Sequence, residues 1–186
     1  KNLDQNSSPA ENSSLSGETE PKKNPGVVAN NITIPGGKKT VIISGPNTGG
    51  KTVSLKGLGL CSLMMQAGMP ITADSGSSLP IFNGIFTAFG DDQDLQRGLS
   101  SFSGHLLAVQ NLLETADSGS LVLVDELISD TDPDQGAALA RSILTDLNQR
   151  DIFSFVSTHY QQLKVLALQD EGYYNLAVGF SLENLS

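Results

Sequence analysis

Apolar residues along this chain fall into two patterns, short unbroken runs and longer stretches in which they recur every three or four positions. Alternation between the two predicts an α/β fold with a mainly parallel sheet flanked by helices. The runs Lys39 to Ser44 (KTVIIS), Ile85 to Phe89 (IFTAF), Ser120 to Leu127 (SLVLVDEL) and Ile152 to Ser157 (IFSFVS) have the length and continuity of strands buried on both faces. A helix is expected from Gly50, with Val53, Leu55, Leu58, Leu63, Met64 and Ala67 as its core residues and Gly68 and Pro70 as its end. A second helix, opened by Leu99-Ser100-Ser101, carries Phe102, Leu106, Val109, Leu113 and Ala116 on one face. A third begins with Asp132 as N-cap and Pro133 at its first position, and turns Ala140, Ile143, Leu144 and Leu147 inward. Val27 to Ile34 is expected to be a strand that Pro35-Gly36-Gly37 turns into KTVIIS. Tyr173 to Leu182 (YYNLAVGFSL) suggests one more strand, antiparallel at an edge, and Ile71 to Asn83 reads as loop.

Residues 1–25 lack this periodicity. Rich in Ser, Asn, Glu and Pro, they cannot bury enough apolar surface to offset the entropy of ordering them, so a disordered tail or linker is expected there and one folded domain over 26–186. With 186 residues, 38% of them hydrophobic and 17% charged, the chain has ordinary globular composition. Its net charge of −9 argues against a surface that neutralises nucleic-acid phosphates by itself. The single cysteine, Cys61, lies within the first helical pattern and is expected to be a buried core thiol. With no partner for a disulfide, no signal-type segment and no run of eighteen apolar residues, the expectation is a soluble, cytoplasmic protein without a membrane partner. Lys1 in place of an initiator Met suggests a piece of something longer.

The chemistry is concentrated in Gly45-Pro46-Asn47-Thr48-Gly49-Gly50-Lys51-Thr52, which fits G-x-x-x-x-G-K-[ST] without a mismatch and stands between a strand and a helix. Gly45, Gly49 and Gly50 allow the backbone to fold closely around a phosphate, and the helix start adds the positive end of its dipole. Lys51 brings a full charge to the β and γ phosphates, and the Thr52 hydroxyl suits a Mg²⁺ bridging them. The buried run SLVLVDEL ends in two carboxylates, a costly arrangement unless they meet something. At the carboxyl edge of a parallel sheet, Asp125 would hold Mg²⁺ and Glu126 would orient and deprotonate an attacking water; the bland alternative is a solvated strand end. His159, after the next strand, would reach the γ-phosphate, or be a structural histidine. Either Ser100 or Ser101 can cap the second helix, and the same serine would serve a γ-phosphate brought to that helix start from its own chain or a partner. The turn with Asp91, Asp92 and Asp94 would help hold metal or water, or be a solvated loop.

The set GPNTGGKT, GDDQDLQRGLSSFSGHL, LVLVDEL, TDP and STHY, in this order, resembles the ATPase domain of the MutS family of DNA mismatch repair proteins. It resembles still more closely that family's second bacterial paralogue, the MutS-II type, over residues 26 to 182. The resemblance implies a P-loop NTPase fold related to the ABC-transporter nucleotide-binding domains. It also implies Mg²⁺ and ATP as cofactors, and a homodimer whose two sites borrow residues from each other. Within it, Gly45 to Thr52 would be the phosphate loop, Asp125 the Mg²⁺ carboxylate, Glu126 the base and His159 the γ-phosphate sensor. Ser100 would act in trans, and Val27 to Asn30 would lie on the adenine side, with Val27 where the mismatch-repair branch has an aromatic. Clamp and lever domains of such proteins hold DNA or a collided ribosome, and some end in a small nuclease domain; none of these segments is recognised here.

Between Glu126 and Thr131 the resembled family has a glycine-rich turn, and this chain has Ile128-Ser129-Asp130. Side chains and a carboxylate in place of glycines are expected to strain the turn and oppose the γ-phosphate. Replacing Asp130 by glycine should then raise turnover. Two readings stay open: a Mg²⁺-dependent ATPase that cycles a dimer, and a non-catalytic module in which nucleotide gates dimerisation. A phosphate-transferring kinase is disfavoured, since no Arg-rich lid segment is visible.

Overall fold

A computed structural model describes residues 29–89, 101–128 and 131–179. The chain divides into Lys1–Asn31 and Ile32–Ser186. In the first unit Ala29, Asn30 and Asn31 are described, and they form neither helix nor strand. The second unit holds the order β1 (Thr40–Ser44), a 3₁₀ turn (Asn47–Gly49), α1 (Lys51–Gln66), β2 (Ile85–Ala88), α2 (Ser101–Thr115) and β3 (Leu121–Val124). It continues with α3 (Pro133–Gln149), β4 (Phe153–Ser157), α4 (Gln161–Gln169) and β5 (Tyr173–Ala177).

Among the described residues the five strands form one sheet in the order β2-β3-β4-β1-β5, every neighbouring pair parallel. The expected α/β architecture is therefore the observed one. Strand residues alternate between two cores. Ile42, Val122, Val124 and Val156 pack with Val109 and Leu112 of α2, Ala140, Ile143, Leu144 and Leu147 of α3, and Leu163 and Leu166 of α4. Val41, Ile43, Leu121, Leu123 and Phe155 pack on the other face with Leu55 of α1 and Phe82. The start of α3 is as expected: the Asp132 carboxylate accepts from the N–H groups of Asp134 and Gln135, and Pro133 fills the first helical position.

Four expectations need correction. The buried residues of α1 are Lys51, Ser54, Leu55, Gly59 and Ser62, whereas Val53 is 69% and Leu63 54% exposed, Ala67 is exposed, and Leu58 and Met64 are half-buried. The loop sets the rotation of this helix by aiming Lys51 inward, and the helix then lies so close to the sheet that a Cβ at Gly59 would stand 2.7 Å from Leu123 Cδ1. Small residues, more than apolar ones, make that face. Cys61, on the flank, is half-buried and not a core thiol.

No strand forms over Ala29 to Ile34; within the second unit Ile32 and Ile34 pack singly against the α1 side of the sheet. Lys38 N–H closes the following turn onto the Pro35 carbonyl at 3.3 Å, with Gly37 at φ 86. Finally, β5 is an edge strand but runs parallel to β1. Before it comes α4, an unexpected helix whose signal in the sequence is the spacing of Leu163 and Leu166, both buried. A helical crossover returns the chain to the starting end of the sheet, so the next strand runs in the same sense. The remainder of YYNLAVGFSL from Phe180 on, and the aspartate turn at 91–94, lie outside the described residues.

Candidate functional site

Three strands deliver the candidate residues to one edge. β1 ends at Ser44 and opens into the glycine loop, β3 ends at Val124 before Asp125 and Glu126, and β4 ends at Ser157 before Thr158 and His159. Because β4 lies between β3 and β1, its last residue stands between the loop and the two carboxylates. Crossed main-chain bonds lock the edge: Asp125 N–H to the Ala88 carbonyl at 2.9 Å, Thr158 N–H to Ile43 at 3.2 Å and Val178 N–H to Ser44 at 2.8 Å.

The loop needs its glycines for two different reasons. Gly45 has φ 143, and a Cβ there would meet the Val178 carbonyl oxygen at 2.4 Å, so the extension of β5 leaves no space for one. Gly50 has open space around it but φ 81, a left-handed conformation that costs other residues about 1–2 kcal/mol. Gly49 N–H closes the turn onto the Pro46 carbonyl at 3.0 Å, and Ser54 N–H to Gly50 at 2.9 Å starts α1. Pro46 and Thr48 are exposed, Gly49 half-buried; the Asn47 side chain lies outside the description. Lys51 is 3% exposed, and its ammonium donates to the Gly45 carbonyl at 2.8 Å. The charge is thereby held inside the loop that surrounds it, where a phosphate would meet it with little reorganisation.

Thr52 Oγ1 donates to Asp125 Oδ2 at 2.5 Å, joining the glycine loop to the acidic strand end across 73 residues of sequence. A hydroxyl and a carboxylate side by side are hard oxygen donors. Mg²⁺ characteristically takes one or two such protein ligands and completes its shell with phosphate and water, so Thr52 and Asp125 fit that ion. The other carboxylate oxygen, Asp125 Oδ1, accepts from Ser157 Oγ at 2.5 Å, and the same Oγ accepts from Glu126 N–H at 2.8 Å. Ser157 thus joins the site beyond the residues expected there. Its signal was a hydroxyl closing an apolar strand directly ahead of Thr158-His159.

Glu126 is half-buried and has φ 53, one of two non-glycine residues at positive φ among those described, the other being Asp151. Such a conformation costs on the order of 1–3 kcal/mol and persists only where surrounding bonds impose it. Those bonds include Leu127 N–H to the Ser157 carbonyl at 3.1 Å and His105 Nε2–H on α2 to the Leu127 carbonyl at 3.2 Å. Of the turn expected to be strained, Ile128 alone is described. Ile128 is not among the positive-φ residues, and its side chain, 2% exposed, fills the core beside Leu127.

His159 is exposed at the same edge, its ring 4.4 Å from that of Tyr160. Tyr160 is buried, donates its N–H to Thr158 Oγ1 at 3.1 Å, and packs so tightly on α3 that a Cβ at Gly136 would lie 2.1 Å from its hydroxyl. The edge thus gathers Gly45 to Thr52, Asp125, Glu126, Ser157 and His159. Asn30 is exposed in the first unit; Val27, Ser100, Ser129 and Asp130 lie outside the described residues. Among the described residues no helix is long and apolar enough to cross a membrane.

The family model for MutS domain V matches residues 41–184. The chain is 46% identical to Endonuclease MutS2 of Bacillus velezensis over 160 residues, which are 86% of this chain and 20% of that protein. Likeness to Endonuclease MutS2 of Clostridium novyi is 46% over 166 residues, 89% of this chain and 21% of the relative. For the Lactococcus lactis Endonuclease MutS2 it is 42% over 159 residues, 86% and 20%. The chain therefore spans about a fifth of the length of the curated relatives it matches.

Proposed function

The chain belongs to the MutS family, through its domain V, and from this premise we propose that it is the ATP-binding and ATP-hydrolysing part of a longer MutS2-type protein, whose cycle opens and closes a homodimer acting on DNA. The observation that carries the proposal is the Thr52–Asp125 bond, which brings a phosphate loop and an acidic strand end together at one sheet edge. Relatives named MutS2 at 42–46% identity support the second-paralogue reading. Contact with DNA is assigned to segments beyond these 186 residues, in keeping with a net charge of −9, and the whole protein to the cytoplasm or an organellar stroma or matrix.

In this reading the loop amides and Lys51 hold the β and γ phosphates, with the ammonium moving from the Gly45 carbonyl to phosphate oxygen. Thr52 and Asp125 hold Mg²⁺, which when bound neutralises charge developing on the phosphate oxygens. Glu126 orients the attacking water and takes its proton, and His159 contacts the γ-phosphate. Ser100 of a second copy completes the site, and Val27 and Asn30 lie on the adenine side.

Calorimetric titration of the chain with ATP and Mg²⁺ tests this. Lys51→Ala should lose charge-assisted hydrogen bonds of about 1.5–3 kcal/mol, weakening binding roughly 10- to 150-fold. Glu126→Gln should still bind ATP and turn over at least about 100-fold more slowly. A folded sample that takes up no ATP, or a Lys51→Ala variant of unchanged affinity, refutes the proposal. Tight binding with equal turnover in the wild type and Glu126→Gln selects the non-catalytic module.

A further inference from the structure

We propose that Ser157 is a positioning residue for the reaction, a single hydroxyl that sets both the cation-holding carboxylate and the backbone of the base. The proposal rests on the ATPase reading above and adds to it a residue outside the phosphate loop and the acidic pair. Ser157 is 0% exposed at the last position of β4, between the strands that carry the loop and the carboxylates. A serine hydroxyl has one proton to give and lone pairs to accept. Here the proton goes to Asp125 Oδ1 at 2.5 Å, and a lone pair takes the Glu126 N–H at 2.8 Å.

The consequence for Asp125 is orientational. With Oδ1 held by Ser157, the carboxylate plane is fixed and Oδ2 is left paired with Thr52, so the two oxygens offered to a cation are aligned before it arrives. For Glu126 the consequence is conformational. Two successive amides end on this one residue, Glu126 N–H on the hydroxyl and Leu127 N–H on the main-chain carbonyl at 3.1 Å, and between them Glu126 is held at φ 53. Without the hydroxyl, Asp125 loses the bond that sets its plane and Glu126 the bond at its own N–H. Cation affinity and turnover should then fall together while the grip of the loop on phosphate stays. A serine that merely filled space would leave both unchanged when replaced by a residue of similar size.

The test compares the whole 186-residue wild-type chain with Ser157→Ala, Ser157→Cys and Ser157→Thr, using the non-hydrolysable β,γ-imido analogue of ATP and thermal melting to establish folding. In EDTA all four should bind the analogue within twofold of one another. On titration with Mg²⁺, the midpoint for the cation-dependent gain in affinity should move at least fivefold higher in Ser157→Ala and Ser157→Cys. Ser157→Thr, which keeps the hydroxyl, should lie nearer the wild type. Cysteine keeps the size of serine with a weak hydrogen-bonding group, so either hydroxyl-free variant that folds decides the matter. A Mg²⁺ midpoint within twofold of wild type in a folded hydroxyl-free variant overturns the role of Ser157 and leaves the ATPase reading standing. Wild type that fails to bind the analogue in either condition overturns both.

Discussion

Replacing Gly45 by alanine puts a Cβ 2.4 Å from the Val178 carbonyl oxygen, an approach that real Cβ atoms do not make. The obstacle is backbone, not the end of a flexible side chain, and Val178 is itself bonded to Ser44 at 2.8 Å, so the end of β5 and the end of β1 must separate. Two costs combine. Alanine at φ 143 is disfavoured by about 1–3 kcal/mol, and relieving the clash by shifting packed backbone adds about 1–3 kcal/mol. A loss of about 2–6 kcal/mol lowers Tm by roughly 2–4 °C per kcal/mol in a domain of this size. The melt should therefore move down by about 4 °C at the least, followed by far-UV circular dichroism, and ATP affinity should fall because the displaced backbone at Gly45 is the one that places the Lys51 ammonium inside the loop. Gly57→Ala is the internal control: within α1, with open space around the added Cβ, it should gain about 0.5–1 kcal/mol. If Gly45→Ala melts and binds ATP as the wild type does, the packing account of the loop is wrong.

Two further outcomes follow from the same geometry. Glu126→Gly removes the cost of a side chain at φ 53; setting about 1–2 kcal/mol of relief against about 0.5–1 kcal/mol of added chain entropy, Tm should hold level or rise by up to about 6 °C while ATP turnover is lost, and a lower Tm would contradict the strain argument. Arg150, at the C-cap of α3, donates to the carbonyls of Leu113 at 2.7 Å and Ala116, holding the end of α2. Arg150→Met should cost about 1–3 kcal/mol, read as a shift in urea midpoint at unchanged m-value; a midpoint equal to wild type would show that this clasp contributes nothing net.

What was legible along the chain was what neighbours in sequence decide. The glycine loop between a strand and a helix, the Asp132-Pro133 start of α3 and the buried runs of β1, β3 and β4 follow from local backbone preferences and from apolar spacing, and they stand where they were expected. Spacing was misleading in α1, where Val53, Leu63 and Ala67 of the expected face are exposed because the glycine loop, through Lys51, dictates which side meets the sheet. It was insufficient at β5, whose sense depends on α4 and not on its own residues.

Strand order is decided only by the tertiary structure. Nothing local to residues 153–157 places β4 between β1 and β3, yet that placement puts the Ser157 hydroxyl between Asp125 and Glu126. The sequence by itself determined which groups are available: a lysine, two hydroxyls and two carboxylates, each at a strand or helix end. The sheet decided which of them touch, because hydrogen bonds at 2.5–2.8 Å between residues more than thirty positions apart exist only once the crossovers have closed.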